Sequence, residues 1–196
     1  MHYTMEGMEN VAKNVECEVR TLLDYYQYQG LKARLMQEAV FRGEDMQETR
    51  YFEGPHDLRI QKSGSCAKVW LKKGKMHDEC REEVEIKLEP ERFGELERLF
   101  DALGYSTGIV WHRHRMQFTW GDVDVSLDYT KGYGYVIELE KMSDERGKED
   151  TLRYLKDKLA ELGLRSTPKP VLHERFTYYR ERWKELLAEE ERKTPA

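Results

Sequence analysis

Through much of this chain charged and aliphatic residues alternate with a period of two, which commits those stretches to β-strands with sharply different faces. In the segment 14–20, Val15, Cys17 and Val19 share one face, and Glu16, Glu18 and Arg20 share the other. The sorting recurs with Arg59 and Gln61, with Lys68 and Lys72, and with Arg81, Glu83, Glu85 and Lys87. It recurs again with Arg113 and Arg115, with Asp124 and Asp128, and with Glu138 and Glu140. The opposite faces carry Leu58, Ile60, Val69, Leu71, Val84, Ile86, Val123, Val125, Leu127, Ile137 and Leu139. An open sheet with one solvated face accounts for alternation in any single strand. It does not account for charges in place of Ser, Thr and Asn, nor for acids leading the first and last strands while bases dominate the middle ones.

Turn and cap residues divide the chain further. Gly54-Pro55, Ser63-Gly64-Ser65 and Lys73-Gly74-Lys75 cut the region 47–87 into about four short strands. Four more strand candidates follow at 106–114, 115–120, 122–130 and 133–141, with turns at Trp120-Gly121-Asp122 and Lys131-Gly132-Tyr133-Gly134. Helical spacing predicts a helix near 22–39, capped by Thr21 or Asp24. A second runs from Pro90 to Leu103, with Gly104 just past its end. A third starts from Ser143 and reaches Leu162, and a last one covers about 172–190, with Phe176, Tyr179 and Trp183 on one side. The organisation expected is one α+β domain over 14–190, with tails at 1–13 and 191–196.

Composition narrows the function classes. The net charge is −5 with both signs abundant, so no nucleic-acid-binding surface is indicated. The cysteines, Cys17, Cys66 and Cys80, are odd in number and form no C-x-x-C pair, which fits free thiols in a reducing cytoplasm. Residues 1–13 offer no apolar run suited to a signal peptide, and no long apolar stretch suggests a membrane span. A cytoplasmic protein is expected.

The sorted faces make sense if the strands close into a barrel, aliphatic side outward under the helices. About eight strands leave room inside for side chains or one small ligand. An uncompensated buried ion costs several kcal/mol, so a charged lining is tolerable only around a multiply charged guest. Glu16 with Glu18, and Glu138 with Glu140, offer hard oxygen ligands without thiolate or paired imidazole, which favours Mg²⁺ or Mn²⁺. The Arg and Lys set suits phosphate.

These residues, in this order, resemble the CYTH superfamily of triphosphate tunnel metalloenzymes. Glu16-Cys17-Glu18-Val19-Arg20 resembles its Glu-x-Glu-x-Lys signature, and Leu58-Arg59-Ile60 its Leu-Arg-Ile-Arg strand. Lys72 falls where its Leu-x-Leu-Lys strand ends. Arg81-x-Glu83-x-Glu85 and Arg113-x-Arg115 resemble later strands, and Leu127-Asp128 through Gly132, Gly134, Glu138 and Glu140 resembles its finish. The resemblance covers roughly 14–190. It implies an eight-stranded antiparallel tunnel with helices outside, binding a small-molecule triphosphate with one or two divalent cations. Members include inorganic triphosphatases, thiamine triphosphatases and class IV adenylyl cyclases. Two positions depart from the pattern: Arg20 keeps the signature charge but changes its shape, and Gln61 removes one expected phosphate contact.

The resemblance implies a site in which Glu16, Glu18, Asp128, Glu138 and Glu140 hold the metal. Arg20, Arg59, Lys72, Arg81, Arg113 and Arg115 bind the substrate, and Glu83, Glu85 and Arg59 serve catalysis, with Glu83 or Glu85 positioning a second cation or the attacking water. A compact triphosphatase is the leading expectation; a class IV adenylyl cyclase and a non-catalytic polyphosphate sensor are the alternatives. The oligomeric state, monomer or homodimer, is open. Other motifs read as structural. His112-x-His114 lies on the face opposite Arg113 and lacks a third zinc ligand nearby, so it is expected outside the tunnel beneath a helix. Lys131–Gly134 reads as a hairpin turn rather than a phosphate loop, Lys72-Lys73 as part of a solvated turn, and Arg182 or Lys184 as residues able to close the tunnel.

Overall fold

A computed structural model describes residues 15–74 and 78–193. The 1–13 tail and Lys75 lie outside the described residues, as do 194–196 of the expected 191–196 tail. The strands are β1 (Val15–Leu23), β2 (Val40–Phe52), β3 (Asp57–Lys62), β4 (Ala67–Lys72), β5 (Cys80–Leu88), β6 (Thr107–Trp120), β7 (Val123–Thr130) and β8 (Gly134–Ser143). The helices are α1 (Tyr25–Glu38), α2 (Phe93–Ala102), α3 (Lys148–Glu161) and α4 (Lys169–Lys193). All neighbouring strands are antiparallel, and the order β1-β5-β4-β3-β2-β6-β7-β8 closes into a barrel through β1 and β8. Among the described residues no helix is long and apolar enough to cross a membrane.

Several boundaries differ from the sequence expectation for local reasons. Residues 106–114 and 115–120 are one strand, β6, because its inward period runs unbroken from Ile109 through Arg113 and Arg115. β2 starts at Val40 rather than 47, paired with β6 across its polar first half. α1 begins only at Tyr25, since Thr21 and Leu22 still pair with Ile137 and Val136 of β8. Asp24 is its N-cap, in a capping box with Gln27. Ser143 ends β8 instead of capping α3; Asp144 accepts from the Arg146 and Gly147 amides in the turn before it. α4 continues to Lys193, past the expected end at 190.

The outer faces are covered unevenly. Leu31 and Leu35 of α1 and Leu155 and Leu159 of α3 pack on Val19, Val125, Leu127, Ile137 and Leu139, which are essentially water-free. Each such side chain contributes about 1.5–3 kcal/mol through burial. α2 covers Ile60 and Ala67 with Phe93 and Leu96. On the outer face of β5, Cys80 and Leu88 at the ends pack against the clusters under α3 and α2, while Val84 and Ile86 between them stay exposed, against the expectation of cover over every aliphatic face. His112 and His114 do point outward, with His114 Nε2 3.0 Å from Glu44.

α4 sits differently from the other helices. Its Leu172 and Phe176 enter the barrel lining, where Phe176 and Tyr179 pack with Ile109, Trp111, Tyr133 and Val136. Ile109 and Trp111 share the inward face of Arg113, Val136 shares that of Glu138, and Tyr133 comes from the turn before β8, so α4 stoppers one end of the barrel. Hydrogen bonds hold it there, one of them from the Tyr129 hydroxyl to Glu190. Tyr179 donates to the Val110 carbonyl at 3.1 Å, Arg175 to the Tyr133 carbonyl, and the Gly132 amide to Glu190 at 3.2 Å. Gly132 has φ +72°, and a Cβ there would lie 2.8 Å from Leu186 Cβ. The turn thus needs glycine twice over, for conformation and for approach of the helix. Arg182 pairs instead with Glu185 on the exposed side, so the closing residues are apolar.

Candidate functional site

The barrel encloses a cavity of about 300 Å³, a cup with an aromatic floor and a charged wall. Tyr51, Trp111, Tyr133, Val136, Leu172 and Phe176 form the floor under α4. Lys68, Glu85, Lys87 and Gln117 stand at the opposite mouth, with Glu85 and Lys87 exposed. The ionic residues between them come from alternate positions of β1 and β3 to β8, as the two-residue period dictates.

The acids divide into two sets. Glu16, Glu18 and Glu140 bring one carboxylate oxygen each within 4.8 Å of one another. The remaining two expected ligands are committed to arginines. Asp128 accepts from Arg113 at 3.1 Å and from Arg115 at 2.8 and 2.6 Å. Glu138 accepts from Arg115 at 2.7 Å and lies 3.5 Å from Arg20. Burial alone would raise Glu138, but Arg20, Arg115 and Arg113 hold it well below the usual carboxylate range. Glu140 has the reverse situation: burial and then Glu138 push it up to about 8.

The bases form a second shell of charge around the same space. Lys72 Nζ lies 3.1 Å from both Glu16 and Glu83. Burial opposes its charge, yet Glu18, Glu16 and Glu83 hold the ammonium above its ordinary value. Burial and the adjoining Glu16 push Glu83 up to about 7. Glu85 is different, bonded to Lys68 at 2.8 Å and Lys87 at 3.1 Å; burial opposes its charge, but these lysines lower it. The two expected catalytic carboxylates therefore occupy different chemical positions.

Sequence reasoning passed over several groups in this wall. Asp57 binds Arg59 in a fork of two 2.6 Å bonds and accepts from Arg81 at 2.7 Å. Its parity with Arg59 and Gln61 on β3 was the available signal. Gln47 Oε1 accepts from Arg113 Nε at 3.0 Å and Nη2 at 2.8 Å, and from Gln61 Nε2 at 2.8 Å. Gln61 also donates to Thr49 at 3.1 Å, so it braces Arg113 through Gln47. Arg59 stacks on Tyr51 at 4.3 Å, and Lys68 lies 4.4 Å over Trp70. The buried indole N–H groups of Trp70 and Trp111 have no hydrogen-bond partner among the described residues.

A model of the CYTH domain matches residues 14–169. This chain belongs to the CYTH family. No curated protein matches it significantly. Among solved structures, this CYTH chain is similar to the PH1012 protein of Pyrococcus horikoshii OT3, with 25% identity and a TM-score of 0.66 over 76% of this chain and 91% of that one. A candidate adenylate cyclase from Vibrio parahaemolyticus shares the fold at 15% identity, with a TM-score of 0.62 over 79% and 94%. So does HpAC1 from Hippeastrum, a candidate adenylyl cyclase described as having a dominant triphosphatase activity, at 19% identity and a TM-score of 0.57 over 81% and 94%.

A divalent cation fits the acidic trio of this CYTH barrel. The donors are all carboxylate oxygens, the set that hard cations prefer. Glu140, raised by burial beside another acid, has no ion pair among the described residues. A cation would supply the charge that it lacks.

Proposed function

We propose that the cup binds a small triphosphate with Mg²⁺ or Mn²⁺ and hydrolyses it. One observation carries this reading: three clustered carboxylates and a wall of buried arginines and lysine face the same closed-ended cavity of about 300 Å³. Either set alone would be costly to bury; together they match a cation and a polyanion.

Glu16, Glu18 and Glu140 would hold the metal, which supplies charge neutralisation at the phosphoryl oxygens. Arg20, Arg59, Lys72, Arg81, Arg113 and Arg115 receive those oxygens, exchanging part of their bonds to Asp57, Asp128 and Glu138 for bonds to phosphate. Asp57 and Gln47 keep Arg59, Arg81 and Arg113 aimed at the guest during that exchange. Glu83, whose pKa burial and Glu16 raise to about 7, would take a proton from the attacking water. Glu85 is tied to lysines at the mouth, which suits a role in admitting substrate.

Hydrolysis is favoured over cyclisation by the distribution of rings. Tyr51, Trp111, Tyr133 and Phe176 pack against one another at the closed floor, and Trp70 is covered by Lys68 and Arg59. The mouth residues Lys68, Glu85, Lys87 and Gln117 offer no stacking surface to a nucleobase. The description of HpAC1 points the same way for a neighbouring fold.

The test is a panel of inorganic triphosphate, thiamine triphosphate and ATP, each with Mg²⁺ and with Mn²⁺, assayed for phosphate and for cyclic nucleotide. Cation-dependent phosphate release from inorganic triphosphate is expected. Cyclic AMP with pyrophosphate as the main product would establish the cyclase instead. Tight binding without turnover would make the protein a polyphosphate sensor.

A further inference from the structure

The seam between β1 and β5 is the weakest in the barrel wall. β1 pairs with β8 along its whole length, Val15 to Leu23, but with β5 only at Val15, Glu16 and Cys17. Beyond that point its edge is taken by single bonds from other segments. The Glu18 amide donates to the Glu79 carbonyl at 2.7 Å, and Thr167, from the link between α3 and α4, exchanges bonds with Arg20 and Leu22. Two residues of the proposed metal trio, Glu16 and Glu18, flank this short seam.

Cys17 and Cys80 face each other directly across it. They lie on the outer face, because Cys17 alternates with the inward Glu16 and Glu18. Their Sγ atoms are 2.7 Å apart, and Cys17 is fully buried while Cys80 keeps partial exposure. Antiparallel partners directly opposite bring their Cβ atoms to about 4.5–5.5 Å, close to the separation a disulfide spans. Cys66 stands apart, near Ser63.

We propose that Cys17 and Cys80 form a cross-strand disulfide that clasps the barrel at its shortest seam. The oxidant is a small-molecule disulfide. Cys80, the accessible thiol, attacks it as thiolate and releases one small thiol; Cys17 then attacks the mixed disulfide at Cys80 and releases the second. One small disulfide is reduced to two thiols, which take up the two protons that the cysteines lose. Cys17 is shut away from solvent, so the second exchange is slow and calls for long incubation. The bond closes a loop between positions 63 apart in sequence.

The test uses the full chain, incubated with glutathione disulfide at mildly alkaline pH and then digested without reductant for peptide mass spectrometry. The expected product is a Cys17–Cys80 cross-linked peptide lacking two hydrogens. The melting temperature should rise by about 5–10 °C and return on reduction, as a loop of this length allows. C66S should behave like the parent, and C80S should show no cross-link and no shift. Glutathione retained on Cys80 without the cross-link, or a cross-link that leaves the melting temperature unchanged or lower, would overturn the clasp. This outcome is independent of which triphosphate, if any, the cup accepts.

Discussion

The substitution Asp57→Asn isolates the electrostatics of the cup wall. The Asp57 side chain is 5% exposed and holds Arg59 and Arg81, whose side chains are 12% and 4% exposed. Asparagine keeps the shape but leaves two buried guanidinium groups short of a negative partner. Removing one member of a buried ion pair costs about 3–5 kcal/mol. Glu18, 3.8 Å from Arg81, offsets part of that loss, so the lower figure of about 3 kcal/mol is expected. For a domain of this size that corresponds to a fall in melting temperature of about 6–12 °C. Thermal unfolding by circular dichroism measures it directly. Inorganic triphosphate should narrow the gap between variant and parent, because its oxygens give both arginines new partners. A fall below about 2 °C would show that Asp57 holds nothing in place and would refute the account of the wall.

The same pair sets acid stability. Burial opposes the charge of Asp57, but Arg59 and then Arg81 lower its pKa below the ordinary value of 3.8, so its contribution is complete above that value and is lost as pH falls through the lowered one. Urea midpoints should therefore drop below about pH 4 in the parent, with the Asp57→Asn variant showing a shallower drop over the same range. Glu140→Gln should reduce metal-dependent turnover by at least about 100-fold and leave the melting temperature within a few degrees, since no ion pair is broken; undiminished turnover would remove Glu140 from the cation site. Glu138→Gln should instead lower the melting temperature, because Arg115 and Arg20 lose a partner. Gly132→Ala should cost about 1–3 kcal/mol by straining a positive φ and pushing on Leu186, read as earlier unfolding together with easier proteolysis of α4.

Much of this architecture is written in the strand faces. The inward parity of Glu16 and Glu18, of Arg113 and Arg115, and of Glu138 and Glu140 follows from the period of two, and with it the charged interior. What periodicity leaves open is which acid meets which base. Asp128 and Glu138 read as ligands like the others, yet their registers set Asp128 opposite Arg115 and Glu138 opposite Arg20, whereas Glu140 lies opposite Glu18 and Asp124. Such partners depend on strand order, and β1 lies beside both β5 and β8, far from either in sequence. Gln47 and Thr49 escaped notice because neutral residues on a charged face carry little contrast. β6 reads as two strands in the sequence because no apolar residue marks its centre between Trp111 and Met116. The exposed Val84 and Ile86 show the converse, an aliphatic pair that alternation marks clearly but that stays open to solvent.

The apolar stopper supplied by α4 has a consequence for traffic. With one end filled by apolar side chains, arrival and departure are both concentrated at the charged end. In the proposed hydrolysis, a phosphoryl group released beside Trp111 and Phe176 would have to pass the lysines at the mouth, Lys68 and Lys87, to leave.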